Sequence, residues 1–445
     1  MTARRDACPG LADPMPTGDG LLARLAVTRA LSLAAFAALC AAARTHGNGI
    51  IEITSRGSIQ VRGLTPASAP GFAAAIEALA IADPTDGRVI ANPLAGLDAD
   101  EVMDASALAD RLREVLIESG LAAALAPKVS VVIDGGGALA LDAIPADVRL
   151  RAKATQEGIR FRLALAGNGA KAIPIGVVTP EHAIEAAIGV LEAVALRGPT
   201  ARARDLYLPL EGGGRRREAA PGGGDPSTSP ACRGAPHPGR LRSATAADPP
   251  PAGEGKSARS PTEPIGTHAL RDGSVALGLG LPFGHSDAET LQSLIAEAGS
   301  AGAASVRPAP GRVLLVIGLA PAQAPSLAAA AQQLGFLVSP DDPRRRVVAC
   351  AGAPACAAAQ IPARAMAPTI AAAAAHLDRQ TTIHISGCAK GCAHPGPATL
   401  TIVGIDGQCG IVRDGTTRDT PGALADVDDL PAYLGQRALQ ETGRG

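Results

Sequence analysis

The spacing of apolar residues divides the first half of the chain into short strand-like and helix-like stretches. Residues 21–27 have the composition of a strand, and an apolar helix is expected over 32–44, closed by His46-Gly47. Two short strands, 50–56 and 58–62, flank Gly57, and a helix follows over 70–80. Leu108, Leu112, Val115 and Leu116 recur at helical spacing and predict a helix over 106–125. Residues 128–133 read as a strand running into Asp134-Gly-Gly-Gly137, a run that admits close backbone approach by a ligand. Another strand is expected over 160–166. Thr179-Pro180-Glu181 opens a helix reaching about residue 196, with Thr as N-cap and Pro at the first helical position. Strand, helix, two strands and a helix within the first 80 residues is the content of a ferredoxin-like unit.

The opening pattern returns in the second half. Asp19-Gly20 precedes a strand, a helix, two strands and Val61-Arg-Gly-Leu64; Asp272-Gly273 precedes the same series and Val316-Ile-Gly-Leu319. The intervals from glycine to leucine are 44 and 46 residues (64 − 20 and 319 − 273). Ser286-Asp-Ala-Glu289 reads as a capping box at the start of the second helix. Two equivalent halves related by a pseudo-twofold axis are implied. Between them, residues 211–264 are dominated by Gly, Pro, Ser, Arg and Ala. Such a stretch buries too little apolar surface to offset its ordering entropy, so a disordered linker is expected, with Cys232 and His237 in it.

Composition narrows the function classes. Lys and Arg number 41 against 42 Asp and Glu, and aromatics make up 2%, so neither a basic stripe nor stacking rings argue for nucleic acid. The longest apolar run, residues 30–43 between Arg29 and Arg44, is too short to span a bilayer. A cytoplasmic protein without membrane partners is expected. Eight cysteines in such a chain point to a metal site rather than to disulfides.

Four of those cysteines form the most informative pattern. Cys350-Ala-Gly-Ala-Pro-Ala-Cys356 is followed by Ser386-Gly-Cys388-Ala-Lys-Gly-Cys392-Ala-His-Pro395, with 31 residues between Cys356 and Cys388 (388 − 356 − 1). Four thiolates brought together hold an iron–sulfur cluster or a zinc ion, and small neighbours let backbone N–H groups approach the sulfurs. The five-residue gap inside the first pair is wider than structural zinc usually takes.

This spacing, with its glycine context, resembles the signature of the sirohaem-dependent nitrite and sulfite reductases. The resemblance implies a [4Fe–4S] cluster on Cys350, Cys356, Cys388 and Cys392, with Cys392 at the position that bridges to the sirohaem iron. It implies an α+β fold of two ferredoxin-like half-domains and two reductase-like α/β domains, the second carrying the cluster. The expected division is 1–82 and 265–335 for the half-domains, 83–205 and 336–445 for the α/β domains, and 206–264 for the linker. Thr54-Ser-Arg56-Gly-Ser-Ile-Gln60-Val-Arg62 is similar to the reductases' segment for tetrapyrrole carboxylates and substrate. Arg88, with Asn92 in the same turn-rich stretch, and Lys128 match the segments that bring further cations to the distal face. Arg56, Gln60, Arg62, Arg88, Asn92 and Lys128 are therefore the expected tetrapyrrole-binding set, with Arg56, Arg88 and Lys128 in catalytic roles. The reductases carry a second lysine where Ser130 stands, which weakens the case for oxyanion reduction.

Arg5-Asp-Ala-Cys8-Pro9-Gly10-Leu11, the segment from Pro14 to Arg24, and Ser130 to Gly137 resemble a branch of the same family that works in aerobic cobalamin biosynthesis. That branch implies hydroxylation of precorrin-3A with dioxygen and closure of a lactone. Sulfite or nitrite reduction on sirohaem is the alternative. NADH would be the ultimate donor through a partner reductase, since no dinucleotide fingerprint occurs here. The branch is also associated with a non-haem iron whose ligands are unassigned; His384 and His394 flank the cluster motif and are candidates only.

Overall fold

The computed structural model describes residues 9–83, 85, 87–206, 263–378, 380–394 and 396–434. Most of the expected linker, with Cys8, Cys232, His237 and Pro395, lies outside them. The architecture is mixed α+β, and its four five-stranded sheets form two matched pairs.

The first pair belongs to the repeated segments. One sheet runs Met15–Thr17, Gly20–Leu25, Ile59–Leu64, Ile50–Ile53, and then takes its fifth strand, His285–Asp287, from the other half. The other runs Gly266–Ala269, Val275–Gly280, Val313–Leu319, Ser305–Ala309, and takes Leu31–Ser32 from the first half. All ladders in both sheets are antiparallel. The repeat register is explicit: Leu21 pairs with Leu64, and Val275 with Leu319. Each exchanged strand leads directly into a helix. Ser32 caps Leu33–His46 by accepting from the Ala35 N–H, and Asp287 caps Ala288–Ser300 by accepting from the Thr290 N–H. The cap of the second helix is therefore Asp287, one residue beyond the expected Ser286: its carboxylate accepts from both the N–H and the hydroxyl of Thr290 at 2.8 Å.

These two helices, with Ala69–Leu79 and Ala324–Gln333, bury one continuous core that joins both halves. Aromatics are few, and four of the five Phe are spent as its large fillers or those of the neighbouring sheet: Phe36, Phe72, Phe161 and Phe336 are fully buried.

The second pair of sheets shares one topology. Val89–Ala91, Val131–Asp134 and Ala146–Thr155 are parallel, and Gly158–Gly167 and Ile173–Val178 complete the sheet antiparallel. Val347–Ala349, Ile383–Ser386 and Ala398–Ile405 are likewise parallel, followed by antiparallel Gln408–Gly415 and Ala423–Ala425. The helix expected over 106–125 is broken: Ser106–Glu118 ends before Gly120, which takes φ +67, and Leu121–Ala124 is a separate turn of helix. The helix near residue 180 opens as a short 3₁₀ turn, Pro180–His182, before Ala183–Leu196. Among the described residues no helix is long and apolar enough to cross a membrane.

Candidate functional site

A cavity of ≈ 830 Å³ lies at the N-terminal edge of the first parallel strands. That edge explains its composition. Arg88 stands immediately before Val89–Ala91, Lys128 and Ser130 before Val131–Asp134, and Pro145 before Ala146–Thr155. Arg56 enters from the turn between Ile50–Ile53 and Ile59–Leu64, where the Gly57 N–H donates to Thr54 at 3.0 Å. The second half contributes Arg307, Pro308, Pro310 and Cys392.

Among the described residues, eight cations (Arg24, Arg56, Arg88, Arg113, Lys128, Arg202, Arg204 and Arg307) and one carboxylate, Asp147, line the cavity; Arg113 is paired from outside it with Asp83 and Asp110, and Arg204 with Asp205. Asp147 is already committed: Arg202 forks onto it at 2.9 and 2.8 Å, and the Ser130 and Ala203 N–H groups donate to it at 3.0 Å each. The cavity therefore offers fixed positive charge to an anionic ligand. Several guanidinium groups donate to backbone carbonyls. Arg88 donates to Ala126 O at 2.8 Å, and Arg56 donates to Pro145 O at 2.6 Å and to the Ser130 hydroxyl at 3.2 Å. Arg307 donates to Pro93 O at 2.8 Å and to Thr28 O. Burial, and secondarily Arg113, pushes Arg307 down to about 10, still charged at neutral pH.

Of the expected tetrapyrrole set, Arg56, Arg88 and Lys128 line this cavity, whereas Gln60, Arg62 and Asn92 do not. Asn92 is buried; its amide donates to Leu139 O at 2.6 Å and its carbonyl accepts from the Leu94 N–H, which shapes the turn after Val89–Ala91. Arg62, 4% exposed, forks onto Asp19 at 3.0 and 2.9 Å and reaches Ala355 O at 2.7 Å. Its charge is used in the protein interior. Arg24, Arg113, Arg202, Arg204 and Arg307 are cavity residues that the sequence reading did not single out as ligands. Arg307 is the counterpart of Glu52 in the other half, a relation that only the matched strand exchange reveals.

The Asp19–Arg62 pair has a pH consequence. Burial alone would raise the Asp19 carboxyl, but hydrogen bonds from Arg62 and Thr17 and the charge of Arg62 together outweigh it and hold the group below its ordinary value. The unfolded chain then binds that proton more readily than the folded one. The stabilisation is fully present above about pH 4 and is lost as pH falls through the lower folded value. Asp19→Asn should therefore destabilise the protein at pH 7 and flatten the acid limb of its stability curve, as read from urea unfolding at stepped pH. An unchanged acid limb would remove Asp19 as a contributor.

The four cysteines of the motif meet on loops at the C-terminal ends of the second parallel strands. Cys350 follows Val347–Ala349, and Cys388 and Cys392 follow Ile383–Ser386. All four are free thiols. Burial pushes the Cys350 thiol up and Cys356 and Cys388 add to it, while the Gly387 and Gly352 N–H groups oppose. The Gly387 N–H donates to Cys350 Sγ at 3.1 Å. Cys392 feels burial first and then the other three thiols. Gly352, at φ +69, cannot be replaced: a Cβ there would sit 2.3 Å from the Ala363 nitrogen. Among the described residues no three His, Cys, Asp or Glu side chains converge as ligands of one metal ion. The all-sulfur donor set and the N–H group aimed at a sulfur fit a cluster. No ligand set for a separate non-haem iron is found among the described residues. His384 is fully buried, both ring nitrogens lack a hydrogen-bond partner, and burial followed by His394 and Arg312 pushes it down to about 4. Its ring meets that of His394 edge-on, with centroids 5.7 Å apart.

The cavity and the thiols meet at one residue. Cys392 belongs to the cysteine set and also lines the basic cavity.

Residues 13–79 match the nitrite/sulfite reductase ferredoxin-like half domain. The structure of the Mycobacterium tuberculosis NirA protein shares the fold, with a TM-score of 0.64 and 18% identity over 93% of this chain and 79% of that one. Paired half-domains and this likeness define the class: a protein of the nitrite/sulfite reductase fold. A ferredoxin–nitrite reductase of Synechococcus elongatus is 26% identical over 418 residues, 87% of this chain and 76% of that protein. A precorrin-3B synthase of Sinorhizobium sp is 39% identical over 433 residues, 97% of this chain and 87% of that protein. The chain belongs to the precorrin-3B synthase family, and with it to the oxidoreductases.

Proposed function

We propose that the protein is a precorrin-3B synthase: it hydroxylates the tetrapyrrole precorrin-3A with dioxygen and closes a lactone on the macrocycle, in cobalamin biosynthesis. The observation that carries this reading is Cys392, a member of the thiol set that opens onto a cavity with eight cations and one neutralised acid. A polycarboxylate macrocycle is the ligand such a wall recognises, since guanidinium groups bind carboxylates in pairs of parallel hydrogen bonds. The volume lies within the range of small-molecule sites.

Cys350, Cys356, Cys388 and Cys392 would hold a [4Fe–4S] cluster, which supplies single electrons to the cavity when bound. The remaining work belongs to the chain. Lys128, a mobile point charge, and Arg56, a planar fork, take substrate carboxylates. Arg88, fixed on the Ala126 carbonyl, keeps a positive potential at the cavity edge where negative charge develops on oxygen. Val27, Ile90, Pro93 and Pro310 line the cavity with apolar surface, which limits water around the reacting carbon. One oxygen atom enters the macrocycle, and the other leaves as water with two electrons and two protons drawn ultimately from NADH through a partner reductase.

The test is made on anaerobically purified protein. Iron and acid-labile sulfide in cluster ratio, no stoichiometric sirohaem, and an added oxygen atom in precorrin-3A on turnover with NADH, a reductase and dioxygen are expected. Stoichiometric sirohaem with reduction of nitrite or sulfite would replace this reading by the reductase one. Zinc in place of iron would sink both.

A further inference from the structure

A chain of charged side chains, buried at its centre, runs from the N-terminal hairpin to the first cysteine loop and takes no part in the cavity. Arg62 is its centre. The guanidinium forks onto Asp19 at 3.0 and 2.9 Å, stands 3.8 Å from Glu52, and donates to the carbonyl of Ala355 at 2.7 Å. Ala355 directly precedes Cys356. The same carbonyl accepts from the Gly18 N–H at 3.1 Å. The hairpin lies so close there that a Cβ on Gly18 would be 2.3 Å from Pro354 O and 2.9 Å from the Cys356 carbonyl carbon. Glu52 in turn pairs with Arg364, in the first turn of the helix Ala363–Ala373 that follows the loop. The segment 350–362 is thus gripped at its middle by Arg62 and Gly18 and at its exit by Glu52.

Position alone does not require a cation there. A buried ion pair gives little net stability against an apolar pair of the same size, so such a group calls for another reason. The reason available here is its neighbour. Arg62 and Cys356 interact electrostatically, and Arg62 cannot lose its proton in the accessible pH range. A permanent positive charge beside a thiolate ligand favours the more electron-rich state of whatever that thiolate holds.

We propose that Arg62 is a positioning residue of the redox centre: it fixes the Cys350–Cys356 loop through the Ala355 carbonyl and holds the reduction potential up through its charge beside Cys356. The proposal rests on the cluster reading above. Asp19 and Glu52 orient the guanidinium, and the hairpin turn is shaped to bring the Gly18 N–H to the same carbonyl.

The full-length protein, purified anaerobically, is compared with Arg62→Gln, Arg62→Lys and Asp19→Asn. Three readings are taken: the rate at which cluster absorbance is lost to a chelator, the midpoint potential by redox titration, and amide exchange over residues 350–362. Arg62→Gln is expected to lose its cluster about 10- to 100-fold faster and to shift the potential to more negative values. Arg62→Lys, which keeps the charge but not the fork, should hold the potential near the wild-type value while loosening the loop. A merely structural arginine would not separate potential from retention in that way. A folded Arg62→Gln with unchanged potential and unchanged retention overturns the proposal. Should Arg62→Gln fail to fold, Asp19→Asn decides: faster exchange over 350–362 supports it, and wild-type exchange there overturns it. If the wild-type protein proves to contain no iron and sulfide, the cluster reading has failed. The loop-fixing role is then judged by exchange over 350–362 alone.

Discussion

Cys392→Ser should yield a folded protein that no longer assembles its iron and sulfide and no longer turns over. Cys392 stands in an irregular connection after Ile383–Ser386 and belongs to none of the hydrophobic cores, so serine there removes little packing. The four sheets and the core joining the halves do not depend on it. What it removes is the one thiol that belongs to both the cysteine set and the cavity. Altering an outer hydrogen-bonding partner of a metal ligand already costs roughly 10- to 100-fold in affinity or activity, and loss of the ligand itself should exceed that. Circular dichroism and thermal unfolding of the variant, beside iron and sulfide analysis and turnover, check the outcome. An intact cluster with wild-type activity would remove Cys392 from the ligand set.

Phe36→Ala is expected to cost about 3–5 kcal/mol, the range for truncating a fully buried aromatic. Phe36 lies in Leu33–His46, the helix that follows one of the exchanged strands, with no exposed surface. Its cluster includes Leu277, Leu291 and Leu294 of the second half as well as Leu39 and Ile51 of the first. The cavity left behind is therefore shared, and both halves should lose stability together. Guanidinium unfolding followed by circular dichroism, and again by protection of amides in Val313–Leu319, should shift by the same amount. A shift confined to the first half would contradict a common core.

Much of this fold was legible because its signals are local. The Gly20–Leu64 and Gly273–Leu319 intervals reported a repeat whose ladders pair Leu21 with Leu64 and Val275 with Leu319. Cysteine spacing pointed to thiols that prove to be electrostatic neighbours. The exchanged strands were not legible. Leu31–Ser32 and His285–Asp287 are two and three residues long, and only their distant partners make them strands. Ala146–Thr155 was legible and overlooked: Ala146, Val148, Leu150, Ala152 and Ala154 alternate with Asp147, Arg149, Arg151, Lys153 and Thr155, although the fold buries both faces of its first half. Arg62 was misplaced because its acceptors are 43 and 293 residues away, and nothing in Gln60-Val61-Arg62-Gly63 announces them. Lys128 and Arg88 were accessible to inference because the N-terminal ends of adjacent parallel strands share one edge.

The reciprocal exchange of strands sets a timetable for synthesis. Ile50–Ile53 has Ile59–Leu64 on one side almost at once, but its other neighbour, His285–Asp287, is made 235 residues later (285 − 50). At about 5–20 residues per second, that edge waits roughly 10–50 s on the ribosome. An unsatisfied edge of this kind pairs readily with other chains. Until its sister strand emerges to close the sheet, the nascent first half carries an edge open to such pairing.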